Sequence, residues 1–112
     1  MPLFLKSWQN PNLLNLIMHV ITRKRLNEFV AKYPDTENAL VRWYKIVKSR
    51  NFNSFVELRN EFSSADQADN LMVFNIAGNK VRLIAAIHYN RQKLYIRAIF
   101  THADYNQGKW RK

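Results

Sequence analysis

Residues 71–105 read LMVFNIAGNKVRLIAAIHYNRQKLYIRAIFTHADY, and their hydrophobic period decides the fold. Apolar residues recur at every second position, the spacing of strands, and two turn signals divide the stretch. Three strands are expected, Leu71 to Ala77, Lys80 to Tyr89 and Lys93 to Thr101, joined by Gly78-Asn79 and by Asn90-Arg91-Gln92. A two-residue loop at Gly78-Asn79 sets Asn75 opposite Arg82, and another at Arg91-Gln92 sets Arg82 opposite Thr101. One face of this meander then carries Met72, Phe74, Ile76, Val81, Leu83, Ala85, Ile87, Leu94, Ile96, Ala98 and Phe100, the expected core. The other carries Val73, Asn75, Lys80, Arg82, Ile84, Ala86, His88, Tyr95, Arg97, Ile99 and Thr101, rich in donors and suited to a ligand.

Upstream of Leu71 the period changes to 3.6. Leu26, Phe29, Val30 and Tyr33 share one side of an expected helix that Pro34 stops, with Thr22 as its cap and Arg23, Lys24, Arg25 and Lys32 in water. Asp35 is placed to cap a second helix bearing Leu40, Trp43, Tyr44 and Val47, whose spacing marks core rather than base-stacking residues. Ser54-Phe55-Val56-Glu57 reads as a capping box opening a short third helix with Phe55, Leu58 and Phe62. The polar stretch Ser63 to Asn70 reads as a loop, and His19-Val20-Ile21 as a short first strand. Helices first and an antiparallel meander after them predict an α+β domain with helices on one sheet face.

The chain has 112 residues, room for one domain, and its seven Phe, five Tyr and three Trp can fill a single core. Residues 18–112 are read as that domain. Residues 1–17, apolar but broken by Asn, Gln and Pro, are read as an N-terminal extension, either an upstream start or a partner-docking segment. They lack the continuous apolar run and cleavage site of a secretory signal. Eighteen Lys and Arg against eight Asp and Glu give a net charge of +10, a field that attracts polyanions. The absence of cysteine excludes disulfides and thiol nucleophiles and suits a reducing cytoplasm. His19, His88 and His102 share no short ligand spacing, so no metal and no cofactor are expected. No apolar run approaches the roughly 20 residues of a membrane span.

Chemistry is expected where the last strand runs into Thr101-His102-Ala103-Asp104-Tyr105. On the donor-rich face, Asn75, Lys80, Arg82 and Thr101 cluster at that end. Cleaving RNA without a metal needs a base for the 2′-OH, cations for the charged phosphorane and an acid for the leaving 5′-oxygen. His102 offers imidazole, the one side chain that ordinarily titrates near neutrality. Arg82 and Lys80 offer cations, and Tyr105 a proton or a stacking ring. Arg97, four residues before Thr101, lies roughly 13 Å from the Arg82 row and suits a flanking phosphate. Lys109 joins Lys80, Arg97, Asn75 and Thr101 as an expected RNA contact. Plainer readings stand beside these: a structural histidine at a strand end, an arginine solvated or paired with Asp104, a tyrosine capping the core. His19 and His88 are read as structural.

Residues 18 to about 105 resemble the HigB family of type II toxin-antitoxin systems, within the RelE-like superfamily. The resemblance is carried by Met18-His19-Val20-Ile21, Leu40-Val41-Arg42-Trp43-Tyr44, Phe52 to Leu58 and Ser64-Ala65-Asp66. It continues through Val73-Phe74-Asn75-Ile76-Ala77-Gly78-Asn79-Lys80-Val81-Arg82-Leu83 and Tyr95-Ile96-Arg97 to the Thr101–Tyr105 ending. It implies a RelE-like fold and a ribonuclease that cleaves messenger RNA, generally on the translating ribosome. It also implies neutralisation by a helix-turn-helix antitoxin of the HigA type, with DNA contacted only through that complex. By matching position, Arg82 is the phosphate-binding arginine of mid-sheet, while His102 and Tyr105 fall where the acid, base or stacking residues lie. The chain departs from the pattern at Asn106, where the family has Asp, and in residues 1–17. On charge alone, a non-catalytic RNA or ribosome binder and half of a DNA-binding complex are the competing classes.

Overall fold

The computed structural model describes residues 17–78 and 80–106. In chain order they form β1 (His19–Ile21), α1 (Arg23–Lys32), α2 (Glu37–Lys48), α3 (Phe55–Glu61), β2 (Asp66–Ala68), β3 (Leu71–Ile76), β4 (Val81–His88), β5 (Lys93–Thr101) and α4 (His102–Asn106). Five strands make one sheet in the order β1-β5-β4-β3-β2. β1 runs parallel to β5 and the other neighbours are antiparallel. This is the expected α+β architecture, with the three N-terminal helices on one face of a mixed, mostly antiparallel sheet. No described helix is long and apolar enough to cross a membrane.

Each helix ends where its sequence says it should, but the caps differ. α1 stops at Pro34, which opens a 3-10 turn, Pro34–Thr36, so α2 is entered from Thr36 rather than from Asp35. The Thr36 hydroxyl donates to the Tyr33 carbonyl at 2.7 Å instead of capping. Thr22 precedes α1 in a left-handed conformation, φ +68°, and makes no cap bond. Its Oγ1 instead lies 2.9 Å from both the amide nitrogen and the carbonyl oxygen of Ile96. α3 does open on the capping box: Ser54 Oγ accepts from the Glu57 amide at 3.3 Å, and Glu57 Oε1 accepts from the Asn53 amide at 2.9 Å.

The core lies between the helices and the sheet. Leu26, Phe29, Leu40, Trp43, Val47 and Leu58 from the helices meet Met72, Phe74, Leu83, Ala85, Leu94 and Ile96 from the strands, all buried. Phe74 is its hub, with the rings of Trp43 and Phe62 each standing edge-on to it at 5.3 Å. Removing such a ring costs about 3–5 kcal/mol. Gln92 closes the far end: its Oε1 accepts from the Phe52 amide at 3.1 Å, and its Nε2 donates to the Phe52 and Tyr89 carbonyls, each at 2.7 Å.

Three expectations about the strands also need correction. The segment Ser63 to Asn70 is not all loop, because Asp66–Ala68 pairs with β3 across Asp69-Asn70. Asp69 takes φ +57°, the conformation a two-residue hairpin needs, and Asp-Asn was the available signal. The turn after β4 spans four residues, with Tyr89–Arg91 as a 3-10 turn and Gln92 at φ +52°, so His88 pairs with Lys93. That change moves the register by an even number and leaves the faces intact. The third correction turns one over. Ile84 pairs with Ala98 and Ala85 with Ile96, so Arg97 is the extra residue of a β-bulge. Beyond it Arg82 lies opposite Phe100, not Thr101, and Thr101 lies opposite Val81. Ile99 therefore packs against the core, while Ala98 and Phe100 move to the Arg82 face. The first hairpin is as expected, with Asn75 opposite Arg82 and Gly78 at φ +58°.

Candidate active site

The corner expected at the end of the sheet is assembled by two devices. The hairpin brings Lys80 back beside the exit of β5, where the His102 amide donates to the Lys80 carbonyl at 2.9 Å. At the same exit, Thr101 Oγ1 accepts from the Asp104 amide at 3.2 Å and closes the first turn of α4. Residues three apart share a helix side, so His102 and Tyr105 project together. The Tyr105 ring covers Arg82, whose guanidinium carbon stands 5.5 Å from the ring centroid. Arg82 and Tyr105 are half-buried, and Lys80 and His102 are exposed.

The structure thus brings together Arg82, Tyr105, His102 and Lys80. Asn75 shares the Arg82 row, and its Nδ2 donates to the Ser64 carbonyl at 2.8 Å, so it also anchors the segment leading into β2. Thr101 belongs to the opposite side of the strand, facing α1. Arg97, exposed at the bulge, is three residues from Phe100, which shortens its separation from the Arg82 row to roughly 10 Å. Lys109 lies outside the described residues. His88 stands edge-on to Tyr95 at 5.4 Å, and Trp43 is buried, as its core spacing implied. No three His, Asp or Glu side chains among the described residues gather closely enough to hold a metal ion.

Sequence reasoning missed two features. Phe100 joins the Arg82 row, because nothing in β5 announces the bulge. On the other side of α4, a cleft of about 250 Å3 opens between α1 and the end of β5, lined by Arg25, Glu28, Phe29, Lys32, Tyr33, Phe100 and Asp104 among others. In the sequence its helical residues show only as an amphipathic side.

A small basic α+β domain that keeps helices on one sheet face and gathers arginine, lysine, histidine and tyrosine on the other is a polyanion-handling module. Comparison with known proteins narrows the class. Residues 36–108 match the model of the HigB toxin family, described as the RelE-like toxic component of a toxin-antitoxin system. The chain is 35% identical over 92 residues to the mRNA interferase toxin HigB of Escherichia coli K12, covering 80% of this chain and 88% of that protein. The same figures hold for the mRNA interferase HigB of Shigella flexneri. A further mRNA interferase HigB, from Escherichia coli O6:H1, is 29% identical over 93 residues. The chain belongs to the HigB toxin family.

Proposed function

We propose that this chain is the toxin of a type II toxin-antitoxin system and acts as an endoribonuclease that cleaves messenger RNA on the translating ribosome. The observation that carries the reading is the stack of Tyr105 on Arg82 beside the His102 amide's bond to Lys80, which concentrates an imidazole, a phenol and two cations at one end of the sheet. The related proteins named mRNA interferase support the substrate class. The working domain is taken to begin at Met18, whose side chain is buried in the core.

In the proposed reaction His102 takes the proton of a 2′-OH, and the freed oxygen attacks the adjoining phosphorus. Arg82 and Lys80 stabilise the extra negative charge of the phosphorane, the interaction that strengthens most in the transition state. The bond to the 5′-oxygen then breaks, Tyr105 supplies the proton to that oxygen, and the products are a 2′,3′-cyclic phosphate and a 5′-hydroxyl. Arg97 holds a neighbouring phosphate, Asn75 contacts the same strand, Lys109 is proposed as a further RNA contact, and Thr101 holds α4 in place. A helix-turn-helix antitoxin of the HigA type is the proposed partner.

Mapping of transcript ends in a translation extract tests this. New 5′-hydroxyl ends are expected with the unvaried chain and not with His102→Ala or Arg82→Ala proteins of unchanged circular dichroism. Undiminished cleavage by both variants would remove the site assignment. Arrested translation with intact ends would leave a binding protein without nuclease activity.

A further inference from the structure

We propose that the groove between α2 and the β3–β4 turn is a docking site for the antitoxin, where one large apolar side chain carried on an acidic segment of that partner is seated. The proposal rests on membership of a toxin-antitoxin family and not on the nuclease chemistry.

The groove is formed by one side of a helix and the back of a turn. Ala39, Arg42, Trp43 and Ile46 fall at i, i+3, i+4 and i+7 along α2 and make one stripe. Leu40, Trp43 and Val47 are buried in the core, whereas Ala39 and Ile46 stay half-buried, so the apolar side of the helix runs past the core and ends in this groove. Ala77 and Gly78 of the turn line the other wall. The volume, about 280 Å3, lies below the range of small-molecule pockets and suits a single side chain.

The lining favours one kind of occupant. Among the described residues no carboxylate lines the groove, and Arg42, exposed at its rim, is the charged side chain there. Lys45, also exposed, follows three positions along the same helix. An apolar floor beneath a cationic rim fits an apolar side chain flanked by carboxylates, and the net charge of +10 steers an acidic partner toward the chain. RNA fits less well. The Asn75 amide donates to the Ser64 carbonyl and the Trp43 N–H is buried, so a nucleic-acid strand would meet one guanidinium and little else to pair with.

The groove shares its turn with the candidate active site. The Lys80 amide donates to the Ala77 carbonyl at 3.2 Å, and the His102 amide donates to the Lys80 carbonyl at 2.9 Å. A side chain seated against Ala77 and Gly78 therefore bears on the turn that carries Lys80 and, one hydrogen bond further, on the start of α4.

The test measures the affinity of the cognate antitoxin for the unvaried chain, Ala39→Gln and Arg42→Glu, with RNA cleavage by each chain assayed alone. Both substitutions place good helix formers at helix positions open to solvent, so the fold is retained. Ala39→Gln crowds the groove and Arg42→Glu reverses its rim, and each is expected to raise the Kd about tenfold or more while cleavage is unchanged. Unchanged affinity in Ala39→Gln overturns the docking site, and unchanged affinity in Arg42→Glu overturns the acidic occupant. Amide hydrogen exchange of the complex reads the site without substitution: slowed exchange in residues 39–46 and 76–80 supports it, and protection confined to the Arg82 face overturns it. Weaker RNA binding by Arg42→Glu with unchanged antitoxin affinity assigns the groove to nucleic acid and also overturns the proposal. A chain that cuts no RNA removes the nuclease reading alone, because the antitoxin affinities still decide the groove.

Discussion

The guanidinium of Arg82 stands 5.5 Å from the centroid of the Tyr105 ring, joining the middle of the sheet to the last described helix. The pair supports the phenol on the arginine's planar guanidinium, which in the proposed reaction is also the cation for the phosphorane.

Arg82→Lys retains the charge and loses the fork and the stack. Single-turnover cleavage is expected to fall about a hundredfold, the scale of one lost transition-state donor, while thermal stability changes little. Tyr105→Phe retains the stack and removes the proton donor, so RNA binding holds and cleavage drops. Rates measured in parallel with RNA affinity separate the two roles. Equal activity of Arg82→Lys and the unvaried chain would show that only a point charge is needed.

Thr22 spans both backbone groups of Ile96 and ties the start of α1 to β5 just past the short parallel strand. Thr22→Val removes the hydroxyl from two partners and is expected to destabilise the fold by about 2 kcal/mol in urea unfolding. Thr22→Ser keeps the oxygen and stays within about 1 kcal/mol. A valine variant as stable as the serine variant would contradict this account.

Gln92, 4% exposed, satisfies both backbone groups of buried Phe52 from one side chain. Gln92→Ala leaves those groups without their partner and also loses the bond to Tyr89. A loss of about 3 kcal/mol or more is expected, read as a lower urea midpoint at unchanged slope.

Tyr89 carries a buried hydroxyl without a hydrogen-bond partner among the described residues. Burial raises its pKa above the ordinary 10.0. The unfolded chain therefore gives up this proton at lower pH than the folded one. The tyrosine's contribution to stability is complete below pH 10.0 and is lost as pH rises through the raised folded value. Tyr89→Phe is expected to flatten that alkaline decline and to be as stable as the unvaried chain or more so at neutral pH, since it deletes an unsatisfied group. Urea unfolding at neutral and alkaline pH checks both parts, and a phenylalanine variant with the same alkaline slope would refute the assignment.

Most of this architecture is legible in the residues. The first hairpin register, Asn75 opposite Arg82, follows from Gly78-Asn79 and the period of two, and the Ser54–Glu57 box opens its helix as written. That Lys80, Arg82, His102 and Tyr105 share one end of the sheet was also legible, whereas the register that sets Arg82 opposite Phe100 and turns Thr101 to the other side was not. The Phe100 placement and the α1 cleft were not, since both depend on one residue inserted at Arg97 and on a helix packed across the end of β5.

The sequence by itself determined the order of elements, which helix sides are buried, the charge, the family pattern and the corner at Thr101–Tyr105. These are set by residues a few positions apart, through periodicity, turn chemistry and capping. The tertiary structure alone decided the parallel seat of β1 on β5, the pairing of β2, the bulge, and therefore the side of the sheet on which Thr101 lies. Such choices balance backbone pairing against burial among residues distant in the chain. At the end of β5, Thr101 holds α4 from one side of the strand while Tyr105 covers Arg82 on the other.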